Sequence, residues 1–141
     1  SALSENQIGW DWFALQLNNN HELMYYQMLL SDLSADQMSE GIIINPAAET
    51  SPLSSDDVEI QNLDYWISPS GTSYPVKWSM KIPTYSTELT ITALIPNQEM
   101  TTSIKYWEGA VHIEGIYLGK PTSGYGYVES TRSTNNNLST R

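Results

Sequence analysis

Cysteine is absent from the 141 residues, which excludes disulfides, thiolate zinc sites and cysteine nucleophiles together. The compartment stays open, because many exported proteins also lack cysteine. Basic residues are scarce: six Lys and Arg stand against 16 Asp and Glu, a formal net charge of -10. Such a chain repels phosphate backbones and anionic membrane surfaces, and no Lys/Arg cluster offsets it locally. Nucleic acid is therefore not expected as a partner. Long apolar runs are missing too. The run "GIII" at 41–44 is far too short to cross a bilayer, so no transmembrane segment is expected. The opening "SALSENQ" lacks the basic start and apolar stretch of a signal peptide. With no initiator Met and a strand-like run starting at Ile8, the chain reads as a piece of a longer protein or a mature chain trimmed after secretion.

The composition is otherwise that of a domain. The length suits one domain that buries its own core without staples. "IGWDWFALQL" puts Trp10, Trp12, Ala14 and Gln16 on one side and Asp11, Phe13, Leu15 and Leu17 on the other. The polar turn "NNN" at 18–20 leads into "HELMYYQMLL", and the pair reads as a hairpin. A helix over 21–30 is the alternative, since Glu, Leu and Met favour helix; it leaves no polar stripe. "SDLSADQMSE" reads as a long turn or short helical excursion, and "GIIIN" as a brief strand. "PAAETSPLSSDD" reads as a loop, with 45–56 among the least ordered parts of the chain.

Further along, "VEIQNLDYWIS" reads as a strand and "PSGTSYP" as a tight turn. "VKWSMKI" turns Val76, Trp78, Met80 and Ile82 inward, and "ELTITALI" offers Leu89, Ile91, Ala93 and Ile95 on one face. A long strand over 105–117, expected near the centre of the sheet, precedes a short last one in "GYGYVESTR". Residues 133–141 read as a polar disordered tail, in which the sequon at Asn137 is attributed to chance. Seven or eight such runs predict an all-β antiparallel domain, with barrel and curved sandwich equally open.

Chemistry narrows to a few side chains. In 105–117, alternation puts Tyr106, Glu108, Ala110, His112 and Glu114 on one face, and Trp107, Val111 and Ile113 on the apolar other. The plain reading of Glu108 is a solvent-facing carboxylate. The functional one is a carboxyl lining a partly enclosed surface, able to act as a general acid. His112 and Glu114 lie one pleat apart, but two ligands make no metal site, and no metal or cofactor is expected. No GxSxG elbow or nucleotide fingerprint occurs. Trp10 and Trp12 pack a core or hairpin by default; the alternative is an aromatic wall for an apolar or sugar-like ligand, with Tyr25 and Gln27 as a similar pair one strand over. Gly109 permits close backbone approach or a bulge that re-aims Glu108.

Six pieces, "GWDWFALQL", "ELMYYQM", "YWISPSGTSYPVKWSMKIP", "ELTITALIPNQE", "YWEGAVHIEG" and "GYGYVE", follow in an order that resembles the C-terminal half of one family. That family holds carotenoid 1,2-hydratase (hydroxyneurosporene synthase) and the AttH-like proteins labelled predicted secreted hydrolases. The resemblance spans residues 8–131. It implies two consecutive lipocalin-like β domains, of which residues 1–132 form the C-terminal one. It also implies an envelope or secreted location and a hydrophobic small molecule, isoprenoid- or polyene-like, in a pocket shared with the N-terminal domain of the same protein. The matching residues are Trp10, Asp11, Trp12, Gln16, Gln27, Trp66, Tyr74, Trp78, Tyr106, Trp107 and Glu108. The family's Trp-x-Asp-His-Glu-Trp signature would precede Ser1, so the resemblance implies that this chain alone is inactive. On this reading Glu108 is the catalytic candidate, and Trp10, Trp12, Gln16, Tyr25, Gln27, Tyr106 and His112 contact substrate. A non-catalytic binding domain for a hydrophobic molecule is the competing expectation.

Overall fold

A computed structural model describes residues 7–32 and 34–132, and these form ten antiparallel strands. They are β1 (Gln7–Leu17), β2 (Glu22–Leu30), β3 (Glu40–Ile44), β4 (Thr50–Ser54), β5 (Glu59–Ile67), β6 (Ser73–Ile82), β7 (Thr87–Ala93), β8 (Glu99–Thr101), β9 (Lys105–Tyr117) and β10 (Lys120–Arg132). One continuous sheet runs in the order β4-β3-β2-β1-β10-β9-β7-β6-β5, with β8 attached to β9 beside β7. A two-sheet sandwich is thereby excluded; the sheet curls into a half-barrel around a single core. β9 sits beside the middle strand, as its length and alternation predict, and bonds three neighbours.

Period-two alternation decides what is inside. Phe13, Leu15 and Leu17 from β1, Val76, Trp78, Met80 and Ile82 from β6, and Trp107, Val111 and Ile113 from β9 share one core. Aromatic edges organise its centre. Phe13 meets Trp78 edge-on at 5.7 Å between ring centroids, and Trp78 meets Trp107 at 6.0 Å. Phe13, Trp78, Met80, Trp107 and Val111 have no accessible surface, so no water-sized space touches them. The centre of the core is closed by side chains.

The triplet Trp107–Glu108–Gly109 becomes intelligible here. The Trp107 indole N–H donates to the Pro96 carbonyl at 2.7 Å, tying the β7–β8 connection to the core. To do so its ring lies across position 109: a Cβ on Gly109 would sit 2.7 Å from Trp107 Cη2. Gly109 gives that ring room, and no bulge is present in the β9–β10 pairing. Gly109→Ala should therefore cost about 1–3 kcal/mol through overpacking. Urea unfolding checks this, and an unchanged midpoint would mean that the indole moves aside freely.

One local reading of the sequence is corrected and two open ones are settled. Residues 45–56 are no open loop. Asn45 closes a hairpin turn, its side-chain oxygen accepting from the Ala47 and Glu49 amides at 3.0 and 2.9 Å, and β4 follows at once. Pro52 is tolerated because β4 is an edge strand. Of the two readings of "SDLSADQMSE" the turn holds: its described residues form turns with a single bridge from Ala35 to Leu29 and no helix. The stretch over 21–30 is strand, not helix, because its register with β1 buries Leu23, Tyr25 and Leu29. The tail and its sequon lie outside the described residues.

Candidate functional site on the outer sheet face

The convex face of β2, β1, β10 and β9 collects the exposed aromatic side chains of these strands. Register fixes their neighbours. Tyr125 stands between Gln16 and His112, Tyr127 between Ala14 and Ala110, Glu129 between Trp12 and Glu108, and Thr131 between Trp10 and Tyr106. The small Ala14 and Ala110 beside the large Tyr127 leave a groove of about 440 Å³, walled further by Met24, Glu22, Gln16 and Tyr125. Trp12 is 39% exposed, Tyr125 64% and Tyr127 53%, which a core role does not explain.

Six of the sequence-predicted residues meet on this face. Glu108 is half-buried, and among the described residues its carboxyl has no hydrogen-bond or ionic partner; its amide donates to the Gln98 carbonyl at 3.2 Å. Trp12 lies across β10 from it. Trp10 packs tilted against Tyr26 at 6.5 Å, and Gln16 donates to Glu22 at 3.0 Å. Tyr106 is half-buried at the β8 end of the face. His112 lies 3.6 Å from Glu114 and edge-on to Tyr125 at 5.6 Å. Among the described residues no three acidic or histidine side chains converge in a way that would hold a metal.

Tyr25 and Gln27 are on the other side of the sheet. The Asn18–Asn20 turn, with Asn20 in the left-handed region, pairs Trp12 with Tyr26 and Phe13 with Tyr25. Tyr26 and Met24 therefore join the outer face, and Tyr25 enters the core. Burial pushes the Tyr25 phenol up to about 12, with the Ser39 hydroxyl opposing and the Asp57 charge adding. Glu129, Tyr125 and Tyr127 were not singled out from the sequence, although the alternation in "GYGYVE" carries them onto one side.

Two polar clusters on the interior side also escaped sequence reasoning. Asp11, fully buried, accepts from Ser130 Oγ at 2.6 Å and from both Arg132 terminal nitrogens at 2.9 and 3.3 Å. Arg132 also donates to the Thr131 carbonyl at 2.7 Å. The second cluster joins the β5–β6 turn to β8: Glu99 Oε2 accepts from Ser70, Tyr74 and Ser68 at 2.7, 2.8 and 2.9 Å. Burial opposes the Glu99 charge. The hydroxyls of Ser70, Tyr74 and Ser68, then Lys105, outweigh it and hold the carboxyl below its ordinary value.

That shift has a pH consequence. A carboxyl depressed in the folded state stabilises the fold above its unfolded pKa, and the contribution is lost as pH falls through the folded value. The thermal midpoint should therefore drop in the acid limb, and Glu99→Gln should flatten that limb. An identical acid limb in both proteins would show that the three hydroxyls hold neutral Glu99 equally well.

The comparisons with known proteins agree with this architecture. The AttH-like family model matches residues 1–132. The crystal structure of an AttH protein from Nitrosomonas europaea superposes with a TM-score of 0.79 at 29% identity, covering 93% of this chain and 40% of that one. Kievitone hydratase from Nectria haematococca superposes at 0.77 with 21% identity, covering 94% and 42%. This chain thus spans well under half the length of either protein. No curated protein matches it.

Proposed function

The chain belongs to the AttH-like family, and from that premise we propose that it is the lipocalin-like C-terminal domain of a hydratase- or hydrolase-like enzyme. Its substrate is a hydrophobic, isoprenoid- or polyene-like molecule held in the outer groove. One observation carries this reading: side chains close the centre of the core, whereas the outer face offers a groove walled by Met24, Tyr125 and Tyr127 beside a carboxyl that has no partner among the described residues. An N-terminal domain of the same protein would close that groove from above, consistent with solved relatives more than twice as long. Trp10, Trp12, Gln16, Tyr106 and His112 line the shared surface, and Glu108 moves the proton that water addition or hydrolysis requires. Tyr25 and Gln27, across the sheet, are left out of it. The setting is secreted or envelope-associated; among the described residues no helix is long and apolar enough to cross a membrane.

The aromatic wall alone would also serve a non-catalytic binding domain, because Trp12, Tyr125 and Tyr127 supply contact area without any proton chemistry. Retinol, a fluorescent polyene alcohol, tests the shared part of both readings. Its emission should rise on titration with the chain, and Trp12→Ala should weaken binding about tenfold, the effect of about 1.4 kcal/mol. Affinity indifferent to both Trp12→Ala and Tyr127→Ala would remove the groove from consideration.

A further inference from the structure

We infer that the outer face docks a polypeptide surface presenting an arginine, whose guanidinium bridges Glu108 and Glu129. The two glutamates stand directly opposite each other on β9 and β10. Like charges so placed weaken a sheet, and both are half-buried, which adds a desolvation cost. Among the described residues neither carboxyl has a partner that offsets this. The arrangement extends over the surrounding face. The outward positions of β1, β2, β3, β4, β9 and β10 add Glu22, Glu40 and Glu114 and contain no Lys or Arg. Among the described strand residues, the outward-facing cations are Lys77 and Lys81 on the far half of the sheet, where Lys81 already lies 3.8 Å from Glu88; Lys105 and Lys120 stand at strand ends on the other side of the pleat.

A second observation lies one pleat from Glu129. Thr131, between Trp10 and Tyr106, is only 6% exposed, and its hydroxyl has no hydrogen-bond partner among the described residues. A buried orphan hydroxyl is costly unless something completes it. The hydroxyl is itself closed to solvent, so a docked acceptor reaches it only as the side chains over it shift.

The chemistry selects the occupant. A planar guanidinium presents a fork of donors to two acceptors, and stacks on aromatic faces such as Trp12 and Tyr127, which flank Glu129. Lysine offers a point charge and no stacking plane. A second copy of this chain is a poor occupant, since it brings another net charge of -10 and the same cation-free face. Exposed Trp and Tyr are enriched in protein interfaces, and Arg is the charged residue enriched with them. The inference rests on the groove being a shared surface, and it names what the sharing partner brings.

The test uses the 141-residue chain with the peptide acetyl-Ala-Arg-Tyr-Arg-Ala-amide and its citrulline counterpart, which keeps the shape and loses the charge. The arginine peptide should perturb amide resonances of residues 108–112 and 127–131, and bind about tenfold more tightly than the citrulline peptide. Glu129→Gln should remove that preference and raise the melting temperature of the unbound chain, while Glu59→Gln on the far edge should do neither. Equal binding of the two peptides overturns the inference, as does a Glu129→Gln chain that melts lower. Concentration-dependent dimerisation through this face, unaffected by the peptide, also overturns it in favour of a second copy. Retinol binding that survives a failed arginine preference sinks this inference and leaves the groove reading standing. Loss of both sinks the two together.

Discussion

Asp11→Ala is expected to destabilise the fold by about 3–5 kcal/mol, because removing one partner of a buried ion pair strands the other charge. The guanidinium of Arg132 then lies with 11% of its side chain exposed and, among the described residues, only the Trp10 and Thr131 carbonyls as acceptors. Ser130 loses its acceptor too. The pair joins residues 121 apart in sequence across the β1–β10 seam, the junction through which the N-terminal strands meet the rest of the sheet. Arg132→Met should cost a similar amount, leaving a fully buried carboxylate. The double variant Asp11→Ala/Arg132→Met should cost distinctly less than the two singles summed, since neither charge is then orphaned. Urea unfolding of the four proteins closes this cycle. Strict additivity would mean that the two side chains contribute independently and the pair is no unit.

The other large effect is functional. In a catalytically competent form of the protein, Glu108→Gln should lower turnover by roughly 100-fold or more while folding normally. Gln keeps the size and the hydrogen-bonding capacity, and removes the ionisable group. Folding should be spared because the Glu108 carboxyl holds no partner among the described residues, and its amide bond to Gln98 is a backbone one that the substitution keeps. Trp107 and Gly109, its neighbours, point inward and are untouched by the change. Normal turnover in Glu108→Gln would leave the carboxylate as a surface charge. A large loss of stability with full activity per folded molecule would assign it to the scaffold.

Much of the architecture follows from local pattern. "VKWSMKI" and "ELTITALI" alternate cleanly, and they become β6 and β7 with Trp78, Met80, Leu89 and Ile91 fully buried. Alternation suffices because a strand's side chains point to opposite faces with period two, whatever its partner. The same rule placed Glu108 and His112 on one face and Trp107 on the other, correctly. It is silent about which strand lies alongside and in what register. That Glu108 meets Glu129 follows from the tight turn at Leu118–Gly119, both in the left-handed region, which pairs Tyr117 with Lys120. Trp12 meets Tyr26 because of the turn at Asn18–Asn20; a shift of one residue would have put Tyr25 outside as expected.

The hydrophilic stretch at 45–56 looked unanchored by composition, but Asn45 supplies the turn bonds itself and an edge strand needs few apolar residues. Residue types and their alternation determined by themselves that this chain forms antiparallel strands and which side chains share a face. Only the tertiary structure decided what those faces meet. Asp11 with Arg132, Glu99 with three hydroxyls, and Trp107 over Gly109 depend on strand order and sheet curl, which arise from contacts distant in sequence that no local period records.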